Sequence, residues 1–134
     1  MKVMNDTNII ISAVLFPKGK VAQAFEKAIM PPYHPIICDY ILDELHRKFK
    51  EKFPNRSTEL DAFLYHAFSL IQVVQTPQIQ IVQESRIRDV KDRPILRAAL
   101  NAHADLFLTG DKDFLESAID DPRIISVPEF LAMN

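Results

Sequence analysis

The chain has 134 residues, 48% hydrophobic and 25% charged, the profile of a soluble globular protein long enough to bury a core. Its formal net charge of −2 supplies no overall basic field, so any nucleic-acid contact must come from a local patch or from bound metal. A single cysteine excludes an internal disulfide, a cysteine-rich zinc site and a CxxC redox motif, and only two glycines exclude a glycine-rich phosphate cradle.

In chain order, "MKVM" reads as a short strand stopped by the turn formers of "NDTN". The apolar stretch "IIISAVLFP" follows, too short and too acidic at its start for a secretory leader. "VAQAFEKAI" is a helix with Val21, Ala24, Phe25 and Ala28 on one face. "PIIC" is a buried strand, and Asp39 offers an N-cap to the helix "YILDELHRKFKEKF". A second helix is predicted from about Ser57 to Leu70, then a strand in "IQVVQT". "DRPILRAALNAHA" is a helix with proline in its first turn, followed by the strand "DLFLT". A short helix begins near Lys112, and "RIISV" and "PEFLAM" supply a last strand and helix. The alternation predicts one α/β domain over residues 1–134, with helices on both faces of a parallel sheet of about four to five strands. No run approaches the roughly eighteen apolar residues of a membrane span, so the expectation is a cytoplasmic protein without a membrane segment.

In open parallel sheets, sites form at the carboxyl ends of the strands. Asp6 stands just past the first strand, although a turn residue is an adequate local account of it. Glu44 borders the apolar stripe of Ile41, Leu45 and Phe49, although an exposed pair with Lys48 explains it equally simply. Asp92 is a natural helix cap that nonetheless projects toward the face of Ile95, Leu96 and Ala99, with Asp89 either supporting it or idle in the loop. Asp111 and Asp113 follow Gly110, which is expected to turn the chain out of the strand with a positive φ. Gathered at one sheet edge, these acids would raise each other's pKa values or demand a cation. The chain pattern fixes no lysine or arginine among them, and an oxygen-only donor set suits Mg²⁺ or Mn²⁺ better than zinc.

The stretches "MKVMNDTNIIISAVL", "ICDYILDELHRKF" and "RDVKDRPILRAALNAHADLFLTGDKDFL" resemble, in order and spacing, the PIN domain, specifically the small proteins of that family that act as toxins of toxin–antitoxin pairs. The resemblance covers nearly the whole chain. It implies a three-layer α/β/α fold and a metal-dependent ribonuclease centre in which Asp6, Glu44, Asp92 and Asp111 are the family's four acids. Asp113 matches an additional metal-site acid, and Thr7, Asn8 and Thr109 match supporting polar residues. It also implies RNA as substrate, Mg²⁺ or Mn²⁺ as cofactor, a cognate antitoxin and a homodimer. Asn5 departs from the pattern, standing where the family places an apolar strand residue, and Phe114 stands where leucine is commoner.

For RNA contacts, Arg86, Arg88, Lys91, Arg93 and Arg97 surround Asp92 in sequence and are the expected phosphate-steering group. Arg47, Lys48, Lys50 and Lys52 read instead as a solvated helix face. The four histidines share no metal-binding spacing, and Cys38 reads as a small buried hydrophobe. Two competing classes are a non-catalytic PIN-like module acting through a protein partner, and a receiver-like Mg²⁺-binding phospho-acceptor domain. The latter usually wants two adjacent early acids, where this chain has "DTN".

Overall fold

The computed structural model describes residues 1–133 and contains a five-stranded, all-parallel sheet. The strands are β1 (Lys2–Asn5), β2 (His34–Cys38), β3 (Gln72–Val74), β4 (Leu106–Leu108) and β5 (Arg123–Ile125), in the spatial order β3-β2-β1-β4-β5. Val3, Met4, Ile36, Ile37, Phe107 and Leu108 are shielded almost completely from solvent. Burial on both faces explains why the central strands read as unbroken apolar runs rather than alternating ones.

The helices are α1 (Thr7–Leu15), α2 (Lys20–Ala28), α3 (Asp39–Lys52), α4 (Ser57–Ala67), α5 (Arg93–Asn101), α6 (Lys112–Leu115) and α7 (Val127–Ala132). The stretch after "NDTN" is thus helical from Thr7. Asp6 is its N-cap, with Oδ1 accepting from the Thr7 amide at 2.8 Å. Asp39 is not the cap of α3 but its first residue. Its Oδ1 accepts from the Thr76 amide at 2.8 Å and hydroxyl at 2.6 Å, tying the helix start to the chain beyond β3. The fourth helix stops at Ala67, short of the predicted Leu70. Gly110 has no positive φ, and a Cβ there would meet nothing within 4 Å. The exit from β4 is therefore made without a left-handed residue. Asn5 is fully buried, and its Nδ2 donates to the Val3 carbonyl at 3.3 Å.

Residues 75–92 connect β3 to α5 with only short 3₁₀ turns, at Val82–Arg86 and Val90–Asp92. A buried ion pair pins this connection. Arg97 donates Nε and Nη2 to the two oxygens of Glu84 at 2.9 and 3.0 Å, and Nη1 to the Pro77 carbonyl at 2.8 Å. The guanidinium holds the Glu84 carboxyl below its ordinary range. Arg97→Ala leaves the Glu84 charge buried and unpaired, so it is expected to cost ~3–5 kcal/mol. Urea unfolding at neutral pH measures this, and a loss below ~1 kcal/mol contradicts the anchoring role.

Candidate metal centre

The strand order reverses direction between β1 and β4, since the chain steps from β1 outward to β2 and β3, then returns to the other side for β4 and β5. Such a switch point opens a crevice at the carboxyl ends of the two strands. Asp6 leaves β1 there, its amide donating to the Leu108 carbonyl at 3.0 Å, and Asp111 follows β4 on the other side. A cavity of about 310 Å³ lies above this point, and Asp6, Glu44, Asp89, Asp92 and Asp111 all line it.

Each acid is held by a different element. Asp6 is buried, and its Oδ2 accepts from the Thr109 hydroxyl at 2.7 Å. Thr109 in turn accepts from the Asp111 amide at 3.0 Å, so one hydroxyl links both sides of the crevice. Glu44, on α3, is buried and accepts from the Thr7 hydroxyl. Its nearest cation is Arg47, at 3.7 Å, rather than the expected Lys48. Asp92 occupies the cap position of α5 without a capping hydrogen bond from its side chain, and its carboxylate lines the cavity. Asp89, Asp92 and Asp113 form a triad whose ligand oxygens lie within 4.8 Å of one another. The Tyr40 hydroxyl donates to the Lys91 carbonyl and fastens the turn carrying Asp89 and Asp92 to α3. Asn8 is exposed at the cavity rim.

Burial is the main reason that Asp6 is pushed up to about 6, against the hydrogen bonds from Thr109 and Thr7, with Asp111 and Glu44 adding repulsion. Asp92 is raised to about 7, by partial burial first and then by Asp6, Asp111, Asp89 and Glu44. With Glu51 included, six carboxylates line the cavity against four cations, Arg47, Lys48, Lys52 and Lys91. Carboxylates thus outnumber cations on the cavity wall, and the candidate donors are all oxygens. The residues present therefore fit a hard cation such as Mg²⁺ or Mn²⁺.

Asp113 lies off the cavity wall and pairs with Arg88 at 2.8 Å, while sharing the triad with Asp89 and Asp92. The expected phosphate-steering group is largely dispersed. Of its five members only Lys91 lines the cavity. Arg86 donates to the Ala118 carbonyl, Arg88 is held by Asp113 and Glu116, and Arg93 donates to the Ile87 carbonyl. Arg97 must be withdrawn from that group, because its guanidinium is buried against Glu84. Arg47, Lys48 and Lys52, read as a solvated helix face, are solvated but also stand on the cavity wall. The signal was available in the sequence. At ~100° per residue, positions 44, 47, 48, 51 and 52 fall within an arc of ~140°, so placing Glu44 at a site places those cations beside it.

Residues 2–113 match the family model described as the PIN domain. The chain belongs to the PIN domain family. No curated protein sequence matches it. Among solved structures, VapBC2 from Rickettsia felis, bound to a DNA fragment from its promoter, is similar with a TM-score of 0.70. That alignment has 17% identity and covers 94% of this chain and 98% of that one. DNA-bound VapBC from Salmonella typhimurium gives 0.68, at 20% identity over 95% and 98% of the two chains. At these identities the likeness establishes a shared PIN fold. No helix among the described residues of this PIN domain is long and apolar enough to cross a membrane.

Because Asp6 and Asp92 bind protons more tightly folded than unfolded, their protonated forms stabilise the metal-free fold. That contribution is complete below about 4 and disappears as pH rises through about 6 and 7. Metal-free protein is therefore expected to lose stability between pH 4 and pH 8. Asp92→Asn should reduce this loss, so that it stabilises more at pH 8 than at pH 5. Urea midpoints in chelator at the two pH values test this, and equal effects would show that folding does not raise Asp92.

Proposed function

We propose that this PIN domain is a metal-dependent ribonuclease that hydrolyses RNA phosphodiester bonds, and that it acts as the toxin of a toxin–antitoxin pair. The observation that carries the reading is the set of carboxylates converging at the β1/β4 switch point, with Asp6 and Asp92 lifted toward neutrality by burial and mutual repulsion. Asp6, Glu44, Asp92 and Asp111 would hold the Mg²⁺ or Mn²⁺, with Asp113 entering through its triad with Asp89 and Asp92. When bound, such an ion lowers the pKa of an attacking water and stabilises the leaving oxygen of a phosphodiester.

The chain's own contribution is to fix the acids. Both oxygens of Asp6 accept a hydrogen bond from the protein, yet each retains a further lone pair. Thr7 and Thr109 thereby orient the carboxylates of Asp6 and Glu44 without using up their capacity as ligands, and Thr109 also fixes the Asp111 backbone. Asn8, at the rim, is a supporting polar residue of the same pocket.

By likeness of fold to the two VapBC complexes, we extend to this chain a protein partner; a cytoplasmic site of action and assembly as a homodimer are carried over from the sequence reading alone. A shallow apolar groove between α2 and α4, lined by Phe25, Ile29, Phe63, Ala67 and Leu70, supports the partner assignment.

Incubation with a pool of cellular RNAs, with Mn²⁺ or with chelator, tests the activity. Cleavage is expected only with metal, and Asp6→Asn or Asp92→Asn should abolish it while the fold survives. Full activity in both variants ends the proposal. Calorimetric titration with Mn²⁺ separates the enzyme from a non-catalytic binding module, for which no metal uptake sensitive to Asp111→Asn is expected. Thr109→Val, which removes the hydroxyl between Asp6 and Asp111, should weaken Mn²⁺ binding by ~10–100-fold.

A further inference from the structure

Helix α3 brings two opposite kinds of charge to one cavity. Its first half delivers Glu44 to the buried acids, and its second half places Arg47, Lys48 and Lys52 on the wall of the same cavity. Lys91 stands on that wall too, on a turn that the Tyr40 hydroxyl fastens to the helix start. Lys48 and Lys52 are one helical turn apart, ~6 Å along the axis. Among the described residues neither has an anionic side chain within ion-pairing distance. Arg47 is only loosely engaged, with a side chain 54% exposed and its guanidinium 3.7 Å from Glu44. Glu51 is the one acid interrupting this row. Cations elsewhere near the centre are spent on the protein itself, as Arg88 is on Asp113 and Glu116.

Resting on the ribonuclease reading, we infer that Arg47, Lys48, Lys52 and Lys91 grip the phosphates flanking the scissile bond, so that a single RNA strand runs along the carboxyl-terminal half of α3. The acids of the centre are recessed, Asp6 being 4% and Glu44 6% exposed, whereas Arg47, Lys52 and Lys91 are exposed. A phosphodiester must bend inward from the cationic rim to reach them, which an unstacked strand does more easily than a stacked duplex. The wall therefore provides two things that the buried acids lack. It attracts a polyanion to a negatively charged centre, and it sets the direction in which the strand crosses that centre.

The test uses fluorescence anisotropy with a twelve-nucleotide single-stranded RNA in chelator, so that binding is read without cleavage, beside cleavage assays in Mn²⁺. Lys48→Ala/Lys52→Ala is expected to weaken binding roughly tenfold at 0.1 M salt and to lower the salt slope by ~1.4, the value for two phosphate contacts on a single strand. In cleavage the loss should fall on KM rather than kcat, with Mn²⁺ affinity not reduced. Glu51→Gln should tighten binding several-fold, a gain that misfolding cannot imitate. Arg86→Ala should leave the salt slope unaltered. Unchanged binding in both α3 variants overturns the inference while leaving the nuclease reading intact. A wild-type protein that cleaves no RNA in Mn²⁺ overturns the nuclease reading, and one that also binds no RNA overturns both.

Discussion

Burial of several carboxylates beside one another at a single sheet edge is the constraint around which the rest of the molecule is arranged. Asp6, Asp92 and Asp111 lie far apart in the chain, and each would lower its free energy by moving away from the others. They cannot do so, because β1 and β4 are adjacent in the centre of the sheet and nearly every side chain of these strands is sealed in the core. Each buried Ile, Leu or Phe contributes on the order of 1.5–3 kcal/mol. A handful of them outweighs the charge cost that raises Asp6 and Asp92. The hydrophobic layers thus hold an electrostatically unfavourable cluster in place, and that cluster becomes favourable once a divalent ion is taken up.

Neutralisation inside the protein is deliberately incomplete in its geometry. Arg47 approaches Glu44 closely enough to soften its charge, but at 3.7 Å, with the arginine side chain 54% exposed, it holds the carboxylate only loosely. Such a contact exchanges readily for another anion. The tighter contacts at the acids come from hydroxyls and amides, namely Thr7, Thr109 and the Asp113 amide on Asp111. These neutral donors orient carboxylates without cancelling them, which preserves the affinity for a cation.

The sheet was legible because buried parallel strands are apolar throughout and sit between recognisable turns. Asp6, Glu44, Asp92 and Asp111 could be nominated from their places after strands or beside an apolar stripe. Helix α1 was harder to see, since "IIIS" is rich in β-branched residues that favour strands. What decides in favour of a helix is the cap at Asp6 together with burial at Thr7, Ile10 and Val14, three or four residues apart. Gly110 shows the opposite error. Its position between a strand and two acids invited a conformational role, yet its backbone is ordinary. The cations were misjudged because nearness in sequence replaced nearness in space. Arg97 is five residues past Asp92, ~140° around the helix at ~100° per residue, and so points away from the acid it was thought to serve.

That same arginine bears on how the centre keeps its shape. Asp89, Lys91 and Asp92 sit at the end of a connection with little regular secondary structure, where like charges would ordinarily drift apart. Four ties restrain it. Asp39 holds Thr76 at its start, and Arg97 clasps Glu84 and the Pro77 carbonyl in its middle. Near its end Arg93 bonds the Ile87 carbonyl and Tyr40 bonds that of Lys91. None of these contacts touches the presumed ion or substrate. A site built from repelling groups is only as well defined as the supports behind it, and positional errors of about 0.5 Å already matter for such constellations. The buried ion pair between Arg97 and Glu84, lying outside the cavity, therefore supports the acid geometry from behind, on the side that the strands do not reach.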